Sequence, residues 1–130
     1  MKKIIASLFL LFLANSFYGQ NKGITYQAVI YSPDAIVLPG QDNMLAPLTS
    51  QEVCMRFSFL DEGLTSEYEE TITVITDGFG MVNLKLGQAA QSGGYASGFE
   101  EITWDGTSKN LMVELDVSGN CFEFVEISNT

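Results

Sequence analysis

From Thr71 to Gly87 the chain reads TITVITDGFGMVNLKLG, with apolar residues on alternate positions. Ile72 and Val74 lead into the middle of the stretch, and Val82, Leu84 and Leu86 lead out of it. A period of two is that of a strand with one buried face. Asp77-Gly78-Phe79-Gly80 separates the two runs. Asp tolerates left-handed backbone geometry, and glycine reaches positive φ without steric cost. The pattern predicts a β-hairpin over Thr71–Gly87. An isolated hairpin is at best marginally stable in water, so its apolar face predicts further strands to cover it.

The same alternation recurs along the chain. Ile24–Tyr31 (ITYQAVIY) places Tyr26, Ala28 and Ile30 on one face, and Thr25, Gln27, Val29 and Tyr31 on the other. Glu52–Leu60 (EVCMRFSFL) sets Val53, Met55, Phe57 and Phe59 against Cys54, Arg56 and Ser58. Burial of each large side chain there contributes roughly 1.5–3 kcal/mol, which makes that face core. Ser66–Thr76 is a long strand with an acidic first half, EYEE; Tyr68, Glu70, Ile72 and Val74 share one parity, and Glu70 as an acid is expected at the solvent end of that face. Leu111, Val113, Leu115 and Val117 alternate with Met112, Glu114 and Asp116, and Cys121–Ile127 reads as a last, less regular strand. These parities converge on one core: Tyr26, Ala28, Val53, Met55, Phe57, Phe59, Ile72, Val74, Val82, Leu84, Leu111, Val113 and Leu115.

The intervening segments read as turns and loops. Ser32–Gln51 carries all three prolines (Pro33, Pro39, Pro47) and predicts a long surface loop, with room for a short edge strand at Ile36–Leu38. Gln88–Gly98 is small, polar and glycine-rich, hence a loop. In Phe99–Trp104 one helical turn would bring Phe99 and Ile102 to one face, as a plug closing one end of the core, with Trp104 in the core as well. Six or seven short strands and at most one helical turn predict an all-β fold, an antiparallel β-sandwich of Ig-like or transthyretin-like kind.

The first nineteen residues stand apart from this domain. Lys2 and Lys3 precede the apolar run Ile4–Ala14, followed by a short tail to Gly19, the pattern of a secretory signal peptide cleaved before Gln20. The run is too short for a membrane span, which needs roughly 20 apolar residues. The expected organisation is a leader over 1–19 and a single domain over 20–130. Beyond the leader, four basic residues face sixteen acids, a formal charge of −12. A surface this acidic disfavours nucleic acid and anionic lipid as partners. In an exported chain the two cysteines, Cys54 and Cys121, predict a disulfide. Cys54 lies opposite the Phe57 face, so the bond is expected on an outer face or at a sheet edge.

Catalytic chemistry finds little support. The chain has no histidine, and the spacing of Asp61-Glu62, Glu67-Glu69-Glu70, Glu100-Glu101 and Glu123-Glu126 sets no two carboxylates across a cleft as glycoside hydrolysis requires. No cofactor is implied. Asp77 in its turn, or Asp42-Asn43 in the proline loop, offers oxygens suited to calcium, without the spacing of a dedicated calcium loop. Tyr95 sits in the glycine-rich loop and Tyr31 before the proline loop; a partly buried rim is the expected placement, and an exposed pair on which sugar rings stack is the alternative.

Four phrases carry a resemblance: GITYQAV at Gly23–Val29, the VCMRFSF strand, TVITDGFGMVNLKLG, and FEEITWDGTSKNLMVELDV at Phe99–Val117. In this order they resemble the N-terminal domain of large secreted surface proteins of Bacteroidota, over nearly the whole chain beyond the leader except the Pro33–Pro47 loop. The TDGFG turn is also similar to turns of transthyretin-like and carboxypeptidase-regulatory sandwiches. The resemblance implies export, a β-sandwich and further modules, and implies no catalytic residue. The expected function is a non-catalytic structural or adhesion module at the cell surface, whose partners are further domains of the same polypeptide or cell-surface components. A carbohydrate- or calcium-binding module is the alternative, and a small hydrolase the third reading. Relatives are expected to continue with a closing strand. A chain ending at Thr130 would then be truncated at one sheet edge and prone to edge-strand self-association, with the first or last strand at the edge rather than the Thr71–Leu86 pair.

Overall fold

The computed structural model describes residues 23–32 and 45–130. The expected leader over 1–19, the expected edge strand at Ile36–Leu38 and the calcium candidate Asp42 lie outside the described residues. Among the described residues seven strands follow one another: β1 (Ile24–Val29), β2 (Glu52–Leu60), β3 (Ser66–Ile75), β4 (Met81–Leu86), β5 (Gln91–Gly93), β6 (Asn110–Asp116) and β7 (Val125–Asn129). A single 3₁₀ turn, Phe99–Glu101, separates β5 from β6. The strands form two antiparallel sheets, one of five strands in the order β5-β3-β2-β6-β7 and one of two, β1-β4. The expected all-β, sandwich-like architecture is what the chain adopts.

β2 is the centre of the fold. Its inner residues Val53, Met55, Phe57 and Phe59 are buried, and so are Cys54 and Ser58 on its outer face. Register places Met55 beside Ile72 and Leu115, and Phe57 beside Glu70 and Val113. The small sheet covers this face. Tyr26 of β1 meets the Phe57 ring edge-on at 4.9 Å, and Val82 and Leu86 of β4 are buried in the same cluster. Tyr26, Ala28, Ile72, Val74, Leu84 and Leu111 pack against it half-buried. At one end Phe99 packs against Phe59 and Tyr68, with centroids at 5.6 and 5.3 Å, above a buried Ile102. That is the expected plug.

Several expectations need correction. The Thr71–Gly87 stretch is not a hairpin: β3 lies in the large sheet and β4 in the small one. The turn itself closes, with the Gly80 N–H donating to Asp77 O at 3.1 Å and the Asp77 N–H to Met81 O at 3.0 Å. Beyond it the strands part. The Thr76 N–H donates to Gln51 O and the Ile30 N–H to Gly80 O, so β3 stays with β2 while β4 crosses to β1. The physical reason is cover. A paired hairpin would put Ile72, Val74, Val82 and Leu86 on one side of one sheet, whereas the crossing sets them face to face across the core. Alternation is identical in the two cases, so it cannot distinguish them.

Glu70 is not at the solvent end but fully buried. Trp104 is 57 % exposed rather than core. The 3₁₀ turn ends at Ile102 in extended geometry, and the chain leaves the core there. Gln88–Gly98 is not all loop, since Gln91–Gly93 pairs with β3. The last strand begins only at Val125, because Cys121 takes a left-handed φ of 62° and Asp116 folds the preceding residues back. Among the described strands, β5 and β7 stand at the edges of the large sheet and β1 and β4 at those of the small one, so of the Thr71–Leu86 pair only β3 is interior.

Candidate functional site

The register of β2 with β3 shifts beside Phe59, which faces Tyr68 while Leu60 faces Ser66, leaving Glu67 as the extra residue of a bulge. A bulge re-aims its side chain. Glu67 turns inward and is 1 % exposed. Its Oε1 accepts the Thr103 N–H at 2.8 Å, and its Oε2 pairs with the Lys109 ammonium. Burial alone would raise the Glu67 carboxyl, but Lys109 and the Thr103 N–H outweigh it and hold the group below the usual carboxylate range. The hydrogen bond to Glu67 raises Lys109 in turn.

Lys109 of this pair lines a cleft of about 280 Å³, together with Asp61, Tyr95, Thr103, Asp105 and Thr107. Asp61 Oδ1 accepts the N–H groups of Gly63 and Thr65, both at 2.9 Å, and Oδ2 accepts the Tyr95 hydroxyl at 3.1 Å. The Thr65 N–H is the main reason its carboxyl lies below the ordinary value. Desolvation and then Asp61 push the Tyr95 hydroxyl up. Asp105 Oδ1 accepts the Thr107 hydroxyl and N–H, which lower it. The cleft therefore presents fixed carboxylates, one neutralised ammonium and the exposed Tyr95 ring. Trp104, between cleft residues Thr103 and Asp105, is exposed at the same pole.

Two further buried carboxylates cross-link the fold. Glu70 faces the small sheet, where both its oxygens accept the Gly87 N–H at 3.0 Å and Oε2 also accepts the Tyr68 hydroxyl at 2.9 Å. Burial, and then Glu70, raises the Tyr68 hydroxyl far above its ordinary value. Asp116 Oδ1 accepts the Ser118 hydroxyl and N–H, and Oδ2 the N–H groups of Phe122 and Glu123. Those bonds, the Ser118 hydroxyl first, hold Asp116 far below the carboxylate range.

Asp116 thereby lays the β6–β7 connection across the outer face of β2. Cys54 and Cys121 bond there with Cα atoms 5.3 Å apart, on the outer face as expected. The Thr73 hydroxyl reaches Cys121 Sγ at 3.6 Å. Beside them Arg56 forks onto Glu114 at 2.6 and 2.7 Å and stacks 4.2 Å from the Phe124 ring centroid. The bond to Glu114 raises the Arg56 guanidinium above its usual value.

The other expected site residues are dispersed. Asp77 Oδ1 accepts the N–H groups of Phe79 at 2.8 Å and Met81 at 2.9 Å, which makes it a turn residue; Asp42 is outside the described residues. Among the described residues no three His, Cys, Asp or Glu side chains converge as a metal set. Tyr31 and Tyr95 are 47 % and 62 % exposed, but they stand at opposite ends of β2, against Pro47 and Asp61 respectively, and form no stacking pair. Sequence reasoning missed Glu67, Glu70 and Asp116 as structural anchors. For Glu70 the signal was present, since it shares the parity of Ile72 and Val74. For Asp116 it was the Asp-Val-Ser order that opens an Asx-type turn.

No helix among the described residues is long and apolar enough to cross a membrane. Comparison with protein-family models, with curated proteins and with solved structures finds no match to this chain.

Proposed function

We propose that this chain is a non-catalytic structural or adhesion module of a larger secreted surface protein. The observation that carries the reading is the use made of its buried carboxylates. Glu67, Glu70 and Asp116 each hold separate segments of the chain together through N–H, hydroxyl or ammonium groups of the protein itself. A general acid or base would need an oxygen directed at a substrate. Export is supported by the leader pattern and by the Cys54–Cys121 bond, which suits an oxidising compartment.

The test uses the complete gene product, carrying an epitope tag, in cells that naturally express it. Protease added to intact cells is expected to remove the tag, maleimide to label no cysteine before reduction, and deletion of the gene to reduce attachment of the cells to surfaces or to one another. A tag protected inside the cell, free thiols at Cys54 and Cys121, or unchanged attachment would overturn the proposal. A glycan-binding module is the second reading, favoured by exposed Tyr95 and Trp104 at the pole of the polar cleft. Binding on a glycan array that is lost in Tyr95→Ala and Trp104→Ala would promote it over the first.

A further inference from the structure

The two sheets differ in width, and the difference falls on one side. β4 lies above β3, because Gly87 at its end bonds Glu70 and abuts the Phe99 ring. β1 lies above β2, through Tyr26 on Phe57. The second edge of β1 therefore looks toward β6 and β7 and pairs with no described strand. Ile30 bonds Gly80 in continuation of the Val29–Met81 register. The even residues of β1 thus bond toward β4, while Thr25, Gln27 and Val29 turn their N–H and C=O groups to the open edge.

Below that edge β6 is covered, with Val113 and Leu115 buried, but β7 is left exposed at Val125 and Ile127. A groove of about 290 Å³ runs there, with Tyr31 and Leu45 on one wall and Leu115, Val117, Val125 and Ile127 on the other. Val125 is 64 % and Ile127 45 % exposed. Glu123 is the charged residue of the lining.

We propose that this gap receives an extended segment of a partner polypeptide, which adds beside β1 as a third strand of the small sheet. Its alternate apolar side chains lie on Leu115, Val125 and Ile127, and a basic residue faces Glu123. Shape and charge select this occupant. Strands stand about 4.7–4.9 Å apart, and of the two strands beyond β2 only β7 is exposed, so the gap is about one strand wide. Sixteen acids against six bases make two copies repel, whereas a basic segment is attracted. Main-chain bonds to an open edge, with pockets for alternate side chains, constitute strand addition. The inference goes beyond the proposed function and does not depend on export.

The probe is a fluorescent peptide of alternating valine and threonine with one central lysine, titrated against the full, disulfide-intact chain by fluorescence anisotropy. Saturable binding is expected, with about tenfold loss, or some 1.4 kcal/mol, in Val125→Lys. Val125 is exposed, and an unchanged melting temperature verifies that this variant folds. Glu123→Lys is expected to weaken the lysine peptide and to restore binding of the same peptide with a central glutamate. Methylating the peptide amides on one edge should abolish binding. No saturation at millimolar peptide, or indifference to amide methylation, would overturn the proposal. So would a dimer that Val125→Lys dissociates, which would make a second copy the occupant. Binding that emerges only when residues 33–44 are replaced by a Gly-Ser linker would equally overturn it, in favour of the chain's own segment.

Discussion

Glu70 and Asp116 are each 2 % exposed or less, and neither stands alone: Glu70 receives the Gly87 N–H and the Tyr68 hydroxyl, and Asp116 receives donors from three residues. Burial of a carboxylate is tolerable only with such partners. Parity already marked Glu70 as inward, and only the assumption that an acid seeks water sent it to the strand end. Asp116 carries a consequence for pH. Its folded value is depressed, so its contribution is present above the unfolded value near about 3.9 and is lost as pH falls through the acid range. Glu67, also depressed, acts in the same direction. The chain has no histidine, so its melting temperature is expected to be nearly flat between about pH 6 and 8 and to fall below about pH 4. Asp116→Asn is expected to melt lower than wild type at pH 7, with the two curves converging as the medium becomes acid. Thermal melts from pH 7 downward check this; parallel curves would show that the Asp116 charge does not hold the β6–β7 connection.

At the scale of elements, β2 and β6 were legible because one apolar parity runs through each without a break: Val53–Phe59 and Leu111–Leu115. Partnership was not legible. The Asp77–Gly80 turn has hairpin composition, yet it joins strands of different sheets, since which strand β4 meets depends on β1, some fifty residues earlier in the chain. β5 escaped notice because it is held by backbone bonds on an edge, and its residues Gln91, Ser92 and Gly93 show no apolar alternation. Gly87 is where the crossing is most constrained. Its φ is +91°, and a Cβ there would lie 2.5 Å from the Phe99 ring. Gly87→Ala is expected to cost about 1–3 kcal/mol in urea unfolding, from overpacking together with the left-handed backbone. The added substitution Phe99→Leu should return part of that loss, because it shrinks the ring the methyl meets. A Gly87→Ala chain as stable as wild type would mean that Phe99 is not seated over β4.

The whole molecule is an asymmetric sandwich, in which a wide sheet is locked on its outer side and thinly covered on its inner side. The Cys54–Cys121 bond, Arg56 over Phe124 and the Asp116 anchors tie the β6–β7 connection onto the outer face of β2. That lock was legible as far as the cysteines, whose number, with export expected from the leader pattern, named the pair. The width of the two sheets was not, because it follows from pairings between strands far apart in sequence. The asymmetry predicts how the fold opens. β2 is buried on both faces and paired on both edges, whereas β1 pairs among the described strands on one edge and has alternately exposed residues. Local openings start where few buried contacts hold the backbone. In native-state hydrogen exchange the amides of Tyr26 and Ala28 are therefore expected to exchange through an opening that frees β1 and β4 while β2, β3 and β6 remain paired. The amides of Val53–Phe59 should exchange only on global unfolding, with protection that follows denaturant with the full equilibrium slope. Reducing the disulfide should speed exchange at Phe122 and Glu123 first, since their N–H groups bond Asp116 beside it. Equal protection at Tyr26, Ala28 and Phe57 under all denaturant concentrations would mean that the two sheets separate only together, and that two strands suffice to seal a five-stranded face.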